Sequence, residues 1–221
     1  MNKKQRPLRC LIVTSVAAEK EAVERGFGAG SGVTVITGGV GQAAAAASTA
    51  RELARASYDL VICAGIAGGF PERAEVGSIV VADRIIAADL GTESAEGFIS
   101  IDYLQLGTTA VIETEHVLSG RLVTRLREKQ LPVHSGPILT LSTVTGTAES
   151  ATMLAQRVDG ATAEGMEGYG VAVAATQFAL PAMEIRTISN LVGPRDRGAW
   201  RIKEALAVLE QASAAFMEVI Q

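Results

Sequence analysis

Apolar strand-like runs alternating with helical patterns predict an α/β fold: a three-layer α/β/α sandwich around a mixed, largely parallel central sheet. Three observations carry this. CLIVTS at 10–15 and LVICA at 60–64 are continuous apolar runs of the kind buried on both sheet faces. Glycine clusters follow such runs at 38–41 and 65–69, where a parallel sheet turns into its helices. The stretch from Ala161 to Arg197 reads as strand, helix, strand, with Val171, Ala174, Ala175 and Phe178 spaced as one helical face.

Cys10–Ser15 is the first strand, and Ala17–Arg25 a short helix carrying Glu19, Glu21 and Glu24. Lys3, Lys4, Arg6 and Arg9 before LIVTSVAA imitate a secretory signal, but the charged helix that follows favours an ordinary first strand. Val33–Thr37 is the second strand, with an alanine-rich helix running to Ala56. The spacing Gly39-x-Gly41-x-x-Ala44 invites a dinucleotide reading. It follows the second strand, however, and Asp59 begins the next strand instead of ending it, so a tight turn into a helix fits better.

After Leu60–Ala64, the segment Gly65–Phe70 reads as a flexible loop, and Gly77–Ala88 as a long, bent strand. Asp89–Thr114 reads as an irregular polar loop with Phe98, Ile101, Tyr103 and Leu104 as internal apolar contacts. Ser119 is expected to cap a helix ending at Lys129, ahead of a strand over Val133–Ser142 and a helix over Glu149–Gln156. Ala182–Ser189 is a strand ending in Ser189-Asn190, and a helix from Trp200 to Ile220 closes the chain.

Composition narrows the function classes. A chain of 221 residues without a linker-like stretch is expected to form a single domain over 1–221. Its net charge of -4, with no basic stripe, argues against a nucleic-acid partner, and no apolar run reaches 18 residues, so no membrane span is expected. Cys10 and Cys63 lie in apolar runs without metal-ligand spacing and read as reduced core thiols of a cytoplasmic protein. His116 and His134 have no partner at ligand or triad spacing, so neither a metal nor a cofactor is expected.

Met166-Glu167-Gly168, followed by Glu-Ile-Arg-Thr-Ile-Ser-Asn at 184–190, resembles the signature of the purine nucleosidase and phosphorylase superfamily. Within it the chain is similar to the methylthioadenosine/S-adenosylhomocysteine nucleosidases, whose pattern ends R-x-I-S-D. Ending instead in S-N-L-V-G, with R-D-R at 195–197 and Trp200 behind, it is more similar to the futalosine hydrolases of menaquinone biosynthesis. That resemblance implies a nucleoside phosphorylase-like fold and hydrolysis of the N-glycosidic bond of futalosine, a purine nucleoside, to hypoxanthine and dehypoxanthine futalosine. The alternatives are a methylthioadenosine/S-adenosylhomocysteine or aminofutalosine nucleosidase and a non-catalytic nucleoside-binding protein.

Cleaving such a bond passes through an oxocarbenium-like state, which calls for a carboxylate to activate water, a carboxylate to hold the ribose and a donor at the leaving purine. The resemblance assigns these roles to Glu21, Glu167 and Asn190, with Met166 under the ribose and Arg186 nearby, and leaves Glu19 and Glu24 on a solvated helix face. It further implies that Ala67 and Gly68 line the site and that the backbone of Val144 and Thr145 reads the purine edge. Glu167 could instead serve only its own helix amino terminus. Arg195 and Arg197, backed by Trp200, either pair with the benzoate on the 5′ side of futalosine or stand solvated in the loop. Apolar loop residues such as Phe98 and Tyr103 suggest a homo-oligomer.

Overall fold

The computed structural model describes residues 7–28 and 32–221; Lys3, Lys4 and Arg6 lie outside them. Ten strands and seven α-helices alternate in chain order: β1 (Cys10–Thr14), α1 (Ala17–Phe27), β2 (Thr34–Thr37), α2 (Gln42–Leu53), β3 (Leu60–Gly69), β4 (Ile79–Ala87), β5 (Gly91–Ser94), β6 (Gly97–Ser100), α3 (Ile101–Leu104), β7 (Val111–Glu113), α4 (His116–Glu128), β8 (Val133–Thr140), α5 (Ala148–Arg157), β9 (Ala163–Gly165), α6 (Gly168–Gln177), β10 (Ala182–Leu191) and α7 (Ile202–Ile220). The central sheet runs β10-β4-β8-β9-β3-β1-β2; β10 also pairs with β3, and β7 pairs with β4. Pairs β1–β2, β1–β3, β3–β10, β4–β8 and β8–β9 are parallel, whereas β4–β10, β3–β9 and β4–β7 are antiparallel. The expected three-layer α/β sandwich with a mixed, largely parallel sheet is what the chain builds.

Alternation along β3 explains the layers. Val61 and Cys63 face a core shared with Leu53 of α2 and with Tyr169, Val171 and Ala175 of α6. Leu60, Ile62 and Ala64 face the opposite core, built with Phe27 of α1, Leu122 of α4 and Phe216 of α7. Phe27 and Phe216 meet edge to face, 6.3 Å between centroids, an arrangement worth about 0.5–1.5 kcal/mol beyond the area it buries. Both cysteines are buried free thiols, and burial pushes the Cys10 thiol up to about 12.

Several expectations are corrected. Gly65–Gly69 is not a loop: it is the second half of β3, in register with Arg186–Leu191 of β10. These glycines serve close approach, since a Cβ at Gly69 would lie 2.2 Å from the Ala74 carbonyl oxygen. The segment after Asp89 is also more regular than expected: β5 and β6 form a hairpin, followed by α3 and by β7 on the main sheet. Phe98 packs there under the Arg157 guanidinium, 3.8 Å from its ring centroid, while Tyr103 is 84% exposed and no internal contact. Glu115, not Ser119, caps α4, its carboxylate accepting from Leu118 N at 2.5 Å. Phe178 falls at the end of α6 and is exposed, so the apolar face stops at Ala175.

Candidate active site

Residues following the carboxyl ends of β1, β2, β8 and β9, the middle of β3 and the end of β10 converge on one crevice, where ligands bind in such sheets. Its deepest side chain is Arg186 of β10, 1% exposed, whose register partner is Gly65. The guanidinium donates to Glu167 Oε2 at 3.0 Å, Glu184 Oε1 at 2.8 Å, the Ile66 carbonyl at 3.3 Å and Cys63 Sγ at 3.2 Å. Its carboxylate neighbours keep Arg186 firmly protonated against the opposing effect of burial. Glu167, 5% exposed, uses its other oxygen to accept from Gly41 N at 3.2 Å. The Gly39–Gly41 turn, with φ of 93° and 88° at those two glycines, thereby brings a backbone donor to this carboxylate.

The Met-Glu-Gly signature has a packing reason. A Cβ at Gly168 would lie 2.1 Å from Glu184 Oε2, and one at Gly170 2.1 Å from the Gln42 carbonyl oxygen. Only hydrogen at both positions lets α6 start against β10 and α2. Met166 is half-buried just past β9.

Of the α1 carboxylates, Glu19 is the one buried against the sheet, not on a solvated face as expected, whereas Glu21, expected in the site, does not face it. Two residues on a helix are about 200° apart around its axis, so both cannot face inward. Glu21 is exposed, on the solvent side of α1. Glu19 is 2% exposed and turns back toward the sheet: Oε2 accepts from Ser15 N (2.9 Å), Ser15 Oγ (2.5 Å) and Val16 N (3.2 Å), and Oε1 accepts from Ile66 N (2.9 Å). Glu19 and Arg186 flank the same glycine: a Cβ at Gly65 would lie 2.5 Å from Glu19 Oε1 and 2.9 Å from Arg186 Nη1. The inward pattern was available as burial periodicity, because Glu19, Ala22 and Val23 share one helical face.

At the other end of the crevice, a cavity of about 310 Å³ is lined by Val144, Thr145, Asn190, Arg195 and Trp200, among others. A register shift between Ile188 and Asn190 makes Ser189 the extra residue of a bulge, which re-aims Asn190. The Ser189 hydroxyl donates to Asn190 Oδ1 at 2.9 Å, and Asn190 Nδ2 donates to the Leu191 carbonyl at 3.0 Å. One N–H of the amide is left over. Gly68 lies against this residue, a Cβ there being 3.3 Å from Asn190 Nδ2, while Ala67 is buried in β3.

Glu164, read from the sequence as opening a helix with Glu167 and given no further role, lies in β9. It accepts from Thr145 N at 2.8 Å and from the Thr145 hydroxyl, and burial pushes its carboxyl pKa up against those two hydrogen bonds. Thr145 N is therefore engaged within the protein. Arg195 N donates to the Gly146 carbonyl at 3.1 Å, and its guanidinium stands 5.6 Å from the Trp200 ring centroid. Arg197 does not join this cavity; it lines a separate surface hollow with Trp200, Arg201 and Lys203. His134 is paired with Glu75 at 2.7 Å and His116 with Glu113 at 3.5 Å, both at the surface.

Fold and site define a class: the family model described as "Phosphorylase superfamily" matches residues 13–221, and the chain belongs to that superfamily. Over 97% of its length, and 97% of the relative's, it is 45% identical to futalosine hydrolase from Streptomyces coelicolor. It is 49% identical to futalosine hydrolase from Acidothermus cellulolyticus over 93% of this chain and 88% of that one. Among solved structures it is similar to methylthioadenosine/S-adenosylhomocysteine nucleosidase from Neisseria meningitidis, in complex with methylthio-immucillin-A, with a TM-score of 0.82 at 18% identity over 95% of this chain and 98% of that one. The corresponding nucleosidase from Colwellia psychrerythraea, in complex with adenine, also gives 0.82, at 19% identity over 97% and 96%.

Proposed function

We propose that this chain is a futalosine hydrolase that cleaves the N-glycosidic bond with water, releasing hypoxanthine and dehypoxanthine futalosine. The observation that carries the hydrolytic reading is the convergence of Glu19 and the Glu167–Arg186 pair on one crevice, with Asn190 at its far end. Futalosine as the substrate is supported by the two relatives of that name, which match nearly the whole chain.

Each group has a role set by its surroundings. Glu19, fixed by three backbone N–H groups and the Ser15 hydroxyl, takes a proton from the attacking water. Glu167 accepts from the ribose hydroxyls, oriented by Arg186 and Gly41, and Met166 supplies an apolar surface under the sugar. As the glycosidic bond breaks, the remaining N–H of Asn190 donates to the departing purine, while the Val144 backbone and the Glu164-held Thr145 hold its far edge. Ala67 and Gly68 form the wall behind Asn190. Arg195, over Trp200, is the cation placed for the carboxylate on the 5′ side; Arg197 is a solvated loop residue.

The enzyme works without a metal or cofactor, in the cytoplasm, as a homo-oligomer. Tyr103 and Leu106, 84% and 69% exposed, are apolar surface fit for a subunit contact. Among the described residues no helix is long and apolar enough to cross a membrane. The test is to incubate the protein with futalosine, inosine and methylthioadenosine, with and without phosphate or chelator, and to separate the products by chromatography. Hypoxanthine release from futalosine that needs neither phosphate nor metal is expected. A ribose 1-phosphate product, loss of activity on chelation, or preference for methylthioadenosine would overturn the proposal.

A further inference from the structure

β10 carries a carboxylate that none of these steps uses. Glu184 is fully buried; its Oε1 accepts from Arg186 Nε at 2.8 Å, and its Oε2 has no hydrogen-bond partner. The space beside Oε2 is filled by the start of α6, where a Cβ at Gly168 would come within 2.1 Å of it. Three carboxylates thus crowd one guanidinium: Glu167 and Glu184 are paired with Arg186, and Glu19 meets it across Gly65. The remaining titratable group against Arg186 is the buried Cys63 thiol, which burial pushes well up, so it adds no compensating charge. Among the described residues no second cation is paired with these carboxylates. A buried ionised oxygen without a donor is strongly disfavoured, and a carboxyl group so placed keeps its proton.

We propose that Glu184 is a positioning residue that acts as a neutral acid: it anchors Arg186 through Oε1 without neutralising it, so that the guanidinium charge is left to hold Glu167 for the ribose. Glu184 is also the group that can keep the proton at least cost. Burial pushes its carboxyl pKa up, and the neighbouring Arg186 offsets this only in part. Glu167, by contrast, has donors on both oxygens.

The inference rests on the hydrolytic reading of this crevice. The test compares the wild type with E184Q, which keeps a neutral acceptor for Arg186 Nε, and with E184M, which fills similar volume without one. Infrared difference spectroscopy near neutral pH, wild type minus E184Q, is expected to show the carbonyl stretch of a buried protonated carboxylic acid that E184Q lacks, apart from any band of Glu164, which both proteins share. E184M is expected to lower kcat/KM for futalosine at least about tenfold, mainly through KM, because the ribose grip acts already in the ground state. E184Q is expected to restore most of that loss. An absent infrared band, an E184M enzyme with the wild-type KM, or an E184Q enzyme as impaired as E184M would overturn the inference. Should E184M fail to fold, the infrared band and the KM of E184Q still decide. A wild type that cleaves no futalosine removes the hydrolytic reading, whereas a missing band in an active wild type removes only the role of Glu184.

Discussion

The two ends of the crevice are built differently. At the end proposed to hold the sugar, Glu19, Glu167 and Arg186 are at most 5% exposed; Glu19 is bonded to Ser15 just after β1, and hydrogen bonds across long stretches of sequence join Glu19 and Arg186 to Ile66 of β3 and Glu167 to Gly41 ahead of α2. At the end proposed for the base, the Asn190 side chain bonds to its sequence neighbours Ser189 and Leu191, and Arg195 stands exposed against Trp200. Charge must be held rigidly where the transition state becomes cationic, so that end is tied to the sheet. Recognition of one base or one side group can sit on loops, which change without unsettling the fold.

The sharpest way to break this contrast is at Glu19. Glu19→Gln removes the proton acceptor but keeps most of its hydrogen-bonding shape, and a loss of general-base catalysis of ~10²–10⁴-fold in kcat is expected, with product-base binding retained. Glu21→Gln, on the solvent face, is expected to leave turnover near wild type. Steady-state kinetics of the pair checks both; the reverse ranking would put the general base back on Glu21.

Asn190 comes next. An aspartate there would bring negative charge to O6 of a 6-oxopurine while still accepting from a 6-amino group. Asn190→Asp is expected to shift the ratio of specificity constants toward the 6-aminopurine nucleoside by at least about tenfold, roughly one hydrogen bond's worth. With one N–H already given to Leu191, the wild-type amide has a single donor for the leaving base, so the effect is on preference more than on absolute rate. An unchanged ratio would show that Asn190 does not read the base.

Arg195 and Arg197 separate the cavity from its surroundings. Arg195→Ala is expected to raise KM for futalosine about tenfold, the worth of one charge-assisted hydrogen bond. Arg197→Ala, in the neighbouring hollow, is expected to stay within about twofold, as exposed charges do. Equal KM values for both variants and the wild type would leave the benzoate without an arginine partner.

The same contrast governs what could be read in the sequence. The alternation of strands and helices was legible because apolar runs such as 60–64 are local signals, and Met166–Gly168 with Glu184–Asn190 pointed to Glu167, Arg186 and Asn190. The sequence reading turns Glu21 inward and Glu19 outward; α1 rolls the other way because Ala22 and Val23, apolar and on the face of Glu19, are the residues that bury. The glycines of 65–69 read as a flexible loop, since sequence alone cannot distinguish a glycine needed for backbone freedom from one needed for the approach of Glu19, Arg186 and Ala74. The sequence gives Glu164 and Glu184 no role in the site because their partners, Thr145 and the start of α6, meet them only through tertiary packing.

The smallest expected effect tests how firmly the base end is tied to the sheet, and it rests on Glu164. This side chain is the one strong link between the Val144–Thr145 segment and β9, and it is kept at the cost of burying a carboxyl group. Burial raises its folded-state pKa above the unfolded value of about 4.3, the Thr145 hydrogen bonds pulling it back only in part. A carboxyl whose folded pKa is raised contributes most to stability below its unfolded pKa, and that contribution declines as the pH climbs through the folded value. Glu164→Gln keeps an acceptor for Thr145 N and reverses the bond to the Thr145 hydroxyl, which accepts from the amide N–H, but does not titrate. The melting temperature of the variant relative to the wild type is therefore expected to rise as the pH climbs from about 4 through the folded-state value, by about 2–4 °C for each kcal/mol involved, and to level off beyond it. Thermal unfolding across that range checks it. A difference that is flat or falls with pH would mean that Glu164 is no more protonated in the fold than in the open chain, and that the base-reading segment is held by an ionised carboxylate.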